Sequence, residues 1–361
     1  MRNYLLLTPG PLSTSQSVRE AMLQDWCTWD KDYNEGIVTP IRKELLSITG
    51  LSEDEYTSIL LQGSGTYCVE ATIGAAVGQD DKLLILANGA YGKRMAKIAD
   101  YYHINYVLVS LHETELVTGE VARKALEENP DVTHLSMVHS ETTTGLLNPI
   151  EEVAEVIKDK GITFIVDAMS SFGGIPIDVK GLDIDFLVSS ANKCIQGVPG
   201  FGFIIAKKDK LMATKGNARS LSLDIYDQWE TMEKGGGKWR FTSPTHVVRA
   251  FHQAINELNE EGGINARYRR YQENHRVLVD GMRGLGFKTL LSDDAQGPII
   301  TSFLYPTKDF DFSTFYLRLK EKGFVIYPGK ISDADTFRIG NIGDIYPKDI
   351  EALIMAIKEI I

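Results

Sequence analysis

From residue 83 to residue 188 the chain repeats one pattern: a short apolar run, then a longer stretch with helical spacing. Strands are read at Leu83–Leu86, Asn105–Val109, Thr133–Val138, Ile162–Val166 and Asp185–Val188. Helices are read at Met95–Tyr102, Val121–Glu128 and Glu151–Lys160. Most of these runs do not alternate polar with apolar residues, so the strands are expected to be covered on both faces. Strands separated by helical crossovers form a parallel sheet, which makes the chain an α/β protein. Phe203–Lys208 reads as one further strand, antiparallel to the rest. Gly235-Gly236-Gly237 marks a loop, and a helical region runs from Pro244 to Arg283 with a break at Gly262-Gly263. The remainder mixes short strands with helices at Phe312–Lys322 and Lys348–Ile361. At roughly 150 residues per domain, 361 residues suggest two. The expected division is a large α/β domain over 16–260, a small α+β domain over 261–361, and an N-terminal segment, 1–15.

Composition narrows the function. A net charge of −11 disfavours a nucleic-acid binder, which needs a basic face, but leaves room for small anions in a local basic cleft. Seven histidines have no metal-ligand spacing, so no metal site is expected. Cys27, Cys68 and Cys194 are too widely spaced for a disulfide framework, and each is expected to be a small buried apolar residue. No apolar run reaches the roughly 20 residues needed to span a bilayer. The apolar stretch Leu5–Leu7 is too short for a signal-peptide core, so cytoplasm is the expected location.

Four local features bear on chemistry. Gln62-Gly63-Ser64-Gly65-Thr66 precedes a helix read over Tyr67–Val77. Glycines, hydroxyls and free N–H groups at a helix start can cradle an anion, although taken alone the segment is better explained as a plain capping turn. Phe164-Ile165-Val166-Asp167 delivers a carboxylate at a strand end, where α/β proteins bind ligands; an N-cap aspartate is the alternative. Asp185 to Lys193 runs from a strand through small polar residues to a lysine. Desolvation there would lower the amine's pKa and make it a nucleophile, whereas most lysines simply face solvent. Thr336-Phe337-Arg338-Ile339-Gly340 places an arginine among apolar residues, as a clamp for an anionic group or as a structural ion pair. Together the four supply what pyridoxal 5'-phosphate (PLP) requires: a phosphate cradle, a partner for its ring nitrogen, an amine for its aldehyde, and an anchor for an anionic substrate.

The segments that carry a family resemblance are Leu7-Thr8-Pro9-Gly10-Pro11, Asp25 to Asp30, His139-Ser140-Glu141-Thr142-Thr143-Thr144-Gly145, Val166 to Gly174, Ser190-Ala191-Asn192-Lys193, Trp239 to Thr245 and Phe337-Arg338-Ile339-Gly340. Over nearly its whole length the chain resembles the class V PLP-dependent aminotransferases, which have the aspartate-aminotransferase-like type I fold. The tryptophan-rich segment and the region around Thr242 resemble the branch that moves an amino group from 2-aminoethylphosphonate to pyruvate. The resemblance implies that Lys193 forms the Schiff base with the cofactor and shuttles the proton. It implies that Asp167 pairs with the ring nitrogen and that Tyr91 stacks on the ring. Ser64, Gly65, Thr66 and Ser190 would hold the phosphate, and Thr142 or Thr143 would contact the ring oxygen. Thr242 would reach the phosphate of a partner subunit, which makes the enzyme a homodimer, and Arg338 would bind the substrate anion. Arg240 is a candidate second cation. Many relatives have glutamine where this chain has Asn192, so that residue's role is open. The alternatives are an alanine–glyoxylate or serine–pyruvate enzyme of the same family, a cysteine desulfurase of the same fold, and a non-catalytic anion-binding protein.

Overall fold

The computed structural model describes residues 4–329 and 334–361. At its centre is a seven-stranded sheet. In chain order the strands are β1 (Tyr56–Gly63), β2 (Lys82–Ala87), β3 (Asn105–Ser110), β4 (His134–Val138), β5 (Thr163–Asp167), β6 (Phe186–Ser190) and β7 (Gly200–Lys207). In space they run β1-β7-β6-β5-β4-β2-β3. β7 is antiparallel to both β6 and β1, as its sequence suggests; the other neighbours are parallel.

Alternate residues of the central strands enter two different cores. Leu84, Leu86, Leu135, Met137, Phe164 and Val166 join one apolar cluster, and Leu83, Ile85, Ile165 and Val188 join the other. Both faces are apolar because both are covered, which is why these strands lack a period of two. The crossovers include α1 (Gly65–Ala76), α2 (Ala90–Tyr101), α3 (Gly119–Glu128) and α4 (Ile150–Ile157). α1 starts two residues before its sequence reading and α2 five, because the first turns carry polar groups that face a cavity rather than the core. α4 ends early, at Ile157, where Asp159 and Gly161 take positive φ values of 59° and 70°. Neither β1 nor the helix Thr39–Ser47 beside it is expected from the sequence pattern.

Two long helices, α5 (Thr245–Glu261) and α6 (Gly263–Gly284), meet at Gly262, whose φ of 104° breaks the helix at the position read from sequence. Beyond them β8 (Ile300–Leu304), β9 (Tyr327–Pro328) and β10 (Thr336–Gly340) form an antiparallel sheet in the order β8-β10-β9. Helices α7 (Phe312–Glu321) and α8 (Pro347–Lys358) contribute to its separate core, which contains Phe303, Phe337, Ile339 and Leu353. Leu7 joins that core from the far end of the chain, and Leu5–Leu6 pairs parallel with Phe324–Val325. No helix among the described residues is long and apolar enough to cross a membrane. The expectation that all three cysteines are buried holds for Cys68 and Cys194 but not for Cys27. Cys27 lies in a turn, closed by Asp30 N–H donating to its carbonyl at 3.2 Å, outside the sheet's cores.

Candidate active site

The sheet register brings the chemistry to one edge. Val138 lies opposite Asp167, Asp167 opposite Val188, and Gly63 opposite Gly200. The carboxyl ends of β1, β5 and β6 therefore open on the same side, where open α/β sheets bind ligands.

Lys193 follows β6 by three residues. A tight turn holds it: the Lys193 carbonyl accepts from Gln196 N–H at 2.7 Å and the Ala191 carbonyl from Gly197 N–H at 2.9 Å. Its half-buried side chain donates from Nζ to the Pro9 carbonyl at 2.9 Å. Gly10 makes this approach possible. Its φ is +119°, and a Cβ there would lie 2.7 Å from Lys193 Cδ. Burial lowers the lysine pKa to about 8; Arg338 and Arg94 push the same way, against Cys194 and Asp167.

Asp167 ends β5 with 4% of its surface exposed. Its Oδ1 accepts from Met169 N–H at 2.9 Å. Burial raises its pKa to about 6, and Glu141 adds to the rise, while the Met169 bond, Lys193 and Arg94 oppose it. An amine more easily deprotonated than usual thus shares a site with a carboxyl more easily protonated than usual, the signature of a reactive centre.

Both residues line a cavity of about 190 Å³ with Ser64, Gly65, Thr66, Val69, Tyr91, Arg94, Met169, Ser190 and Asn192. Ser64 caps α1 without bonding its own helix, and the first N–H groups of any helix lack intrahelical partners. A side chain at Gly65 would overlap Met169, so glycine lets the first turn approach the cavity floor. Ser190 donates its hydroxyl to Asn192 Oδ1 at 3.2 Å.

The other expected residues are placed less directly. Arg338 on β10 is buried; it donates to the Pro328 carbonyl at 2.9 Å and to the Thr142 carbonyl at 2.7 Å. The Thr142 hydroxyl is buried without a partner, an unmet polar group beside the site. Thr143 donates from its N–H and its hydroxyl to Glu141, at 3.1 and 2.7 Å. Thr142, Thr143 and Arg338 do not line the cavity itself. Thr242 is exposed and also lies outside the cavity of its own chain. The Arg240 guanidinium is engaged with the Leu221 carbonyl at 2.8 Å and Asp227 at 3.4 Å, and does not line the cavity.

Residues 41–333 match the family model described as Aminotransferase class-V. The chain belongs to the class V aminotransferases. It is 68% identical to the 2-aminoethylphosphonate–pyruvate transaminase of Bacteroides fragilis, over 99% of each chain. It is 58% identical to a bifunctional phosphonoacetaldehyde hydrolase/aminoethylphosphonate transaminase of Clostridioides difficile, over 99% of this chain and 56% of that protein. The fold is similar to that of pyridoxamine-pyruvate aminotransferase from Mesorhizobium loti, with a TM-score of 0.90 at 22% identity, covering 98% of this chain and 91% of the other.

The cavity of this class V aminotransferase fits PLP, the cofactor its family implies, on physical grounds. A helix start whose Ser64 hydroxyl does not cap its own helix suits a phosphate, a depressed lysine suits an aldehyde, and a buried carboxylate suits a protonated ring nitrogen. Cys194 is no nucleophile: its thiol donates to the Ser170 carbonyl at 3.2 Å and burial pushes its pKa up to about 12. A larger depression of about 1000 Å³ lies elsewhere, between α3 and α4. Its charges include pairs exposed to solvent, such as Arg123 with Glu120, and it brings together neither Lys193 nor Asp167.

Two residues of the site have no role in the sequence reading. Arg94 lines the cavity, and its three-residue spacing from Tyr91 on a helix was the available signal. Glu141 is fully buried; its Oε2 accepts from Tyr91 N–H at 3.2 Å, and a side chain at Gly89 would overlap it. Its role depends on contacts about 50 residues away in sequence, which no local pattern reveals.

Proposed function

We propose that this chain is a PLP-dependent transaminase that moves the amino group of 2-aminoethylphosphonate to pyruvate, giving phosphonoacetaldehyde and L-alanine. The observation that carries the chemistry is the shared cavity of Lys193, with its pKa lowered to about 8, and Asp167, with its pKa raised to about 6. The substrates rest on the relatives: the aldehyde left when 2-aminoethylphosphonate loses its amino group is the compound named in the Clostridioides difficile hydrolase.

When bound, PLP supplies an electrophilic carbon for amines and a ring that takes up the electrons released as a C–H bond breaks. In this reading Lys193 would hold it through its side-chain amine. Lys193 Nζ would be the base that removes the proton from the substrate carbon bearing the amine, and in the second half-reaction the acid that delivers one to the carbonyl carbon of pyruvate. A pKa near 8 suits both proton transfers at neutral pH. Asp167 would stay ionised opposite a cationic ring nitrogen, which would offset the cost of its burial. Ser64, Gly65, Thr66 and Ser190 would hold the phosphate, Tyr91 would cover the ring, and Thr142 or Thr143 would contact the ring oxygen. Arg338 receives the phosphonate in one half-reaction and the carboxylate in the other, which a planar fork does better than an ammonium group.

A homodimer in which Thr242 serves the partner's phosphate is part of the proposal, supported by its exposed position beside the exposed ring of Phe241. The division into 1–15, 16–260 and 261–361 and a cytoplasmic location belong to it too. The separate core around Phe337 supports the division.

The test is a donor screen on purified, PLP-loaded protein. With pyruvate as acceptor, 2-aminoethylphosphonate should yield L-alanine. Turnover of L-alanine or L-serine with glyoxylate or pyruvate, and none with the phosphonate, would transfer the assignment to the alanine–glyoxylate or serine–pyruvate type.

A further inference from the structure

The cavity holds a cation that none of these roles uses. Arg94 lies one helical turn beyond Tyr91, so both project from the same side of α2. Its guanidinium carbon is 4.9 Å from the centre of the Tyr91 ring, and its Nη1 donates to Thr66 Oγ1 at 2.8 Å. Several other arginines withdrawn from solvent are matched, although Arg249 keeps one buried N–H group without a partner. Arg42 meets Glu233 at 2.6 Å, and Arg267 and Arg270 meet Glu261 at 2.7 and 2.8 Å. Arg219 donates to the carbonyls of Gly74, Val77 and Gly78. Arg94 forms no ion pair with a carboxylate among the described residues; it has one hydroxyl and one ring face. Arg94 feels the Asp167 carboxylate across the cavity but touches none of the described carboxylates, so its half-buried guanidinium keeps N–H groups available to an anion that enters the cavity.

The hydrogen bond to Thr66 shows where that anion sits. A hydroxyl has a single proton. Because Thr66 Oγ1 accepts from Arg94, its proton is free to donate elsewhere, and the hydroxyl lies in the first turn of α1 among the cavity walls. The guanidinium, the Thr66 hydroxyl and the helix N-terminus thus all present positive charge to one place. Arg338 lies outside this cavity's lining, tied to Thr142 and Pro328. The Arg94 helix is also docked: its cap Gly89 leaves room only for hydrogen against Glu141, and Glu141 accepts from Tyr91 N–H. The guanidinium is therefore in place before any ligand arrives, which lowers the entropy lost on binding.

We propose that Arg94 is the charged member of the phosphate cradle, binding the cofactor phosphate through its remaining N–H groups and committing the Thr66 hydroxyl to donate to the same phosphate. The proposal rests on the PLP reading above. The two arginines then serve different anions, Arg94 the cofactor phosphate and Arg338 the substrate.

Pyridoxal, which lacks the phosphate, isolates the role. Cofactor-free wild type, Arg94→Gln, Arg94→Lys and Thr66→Ala are titrated with PLP and with pyridoxal, following visible absorption. Arg94→Gln should weaken PLP about tenfold or more, leave pyridoxal affinity within about twofold, and be partly rescued by Arg94→Lys. Inorganic phosphate should compete with PLP in wild type and much less in Arg94→Gln. In the Thr66→Ala background the Arg94→Gln loss should shrink, because the two groups act together. Equal losses for PLP and pyridoxal would assign Arg94 to holding α2 in place and overturn the proposal. Unchanged PLP affinity with a raised KM for 2-aminoethylphosphonate would move Arg94 to the substrate side and also overturn it. Wild type that binds neither ligand would overturn the cofactor reading beneath it.

Discussion

Replacing Asp167 by asparagine should stabilise the cofactor-free protein while removing its activity. The carboxyl is 4% exposed, and burial raises its pKa from the ordinary 3.8 to about 6. A carboxyl raised in this way adds stability below pH 3.8 and loses it as pH climbs through 6, because the fold disfavours the ionised form. The shift costs roughly 1 to 2 kcal/mol at pH 5, where the folded carboxyl is mostly protonated and the unfolded one ionised, and roughly 3 kcal/mol at pH 7.5, where both are ionised, at roughly 1.36 kcal/mol for each pH unit between the two pKa values. Asparagine carries no charge, and its side-chain oxygen can still accept from Met169 N–H. Urea unfolding of both cofactor-free proteins should thus show an advantage for Asp167→Asn that roughly doubles between pH 5 and pH 7.5. A variant less stable at both pH values, or equally favoured at both, would refute the claim that the carboxylate is held at a cost for function.

Three further outcomes are expected. Arg338→Ala should raise KM for both 2-aminoethylphosphonate and pyruvate by about tenfold or more, from loss of a charge-assisted hydrogen bond, with the visible spectrum of the loaded protein unchanged; a change for one substrate alone would exclude a shared anion clamp. Gly10→Ala should load PLP poorly in a titration, because its Cβ would sit 2.7 Å from Lys193 Cδ at a φ of +119°; normal loading would show that the Lys193 approach to Pro9 is dispensable. The rate of PLP loading should rise with pH and level off above about 8, since only the neutral amine reacts and burial lowers the Lys193 pKa. A rate still climbing toward pH 10 would mean an ordinary, solvated lysine.

The parts legible in the sequence are those set by local pattern. β2 through β6 are readable because strands covered on both faces leave continuous apolar runs. Lys193 and Asp167 are readable because each lies at or just beyond the end of such a run. The N-terminal half of α2 is not: Tyr91 and Arg94 face the cavity, which removes apolar spacing from that turn. β1 escapes the pattern although Ile59, Leu60 and Leu61 are buried, since its far end, Gln62-Gly63, reads as a turn. Glu141 stands inside one of the segments that carry the family resemblance yet has no legible role, because its carboxylate acts on Tyr91 across the fold. Arg240 is a reasonable second cation by type, but Asp227 and the Leu221 carbonyl occupy it.

The central claim concerns a single amine. PLP-loaded protein reduced with borohydride, then digested and sequenced by mass spectrometry, should carry the phosphopyridoxyl group on Lys193 alone. Label on another lysine, with the Lys193 peptide unmodified, would contradict the account.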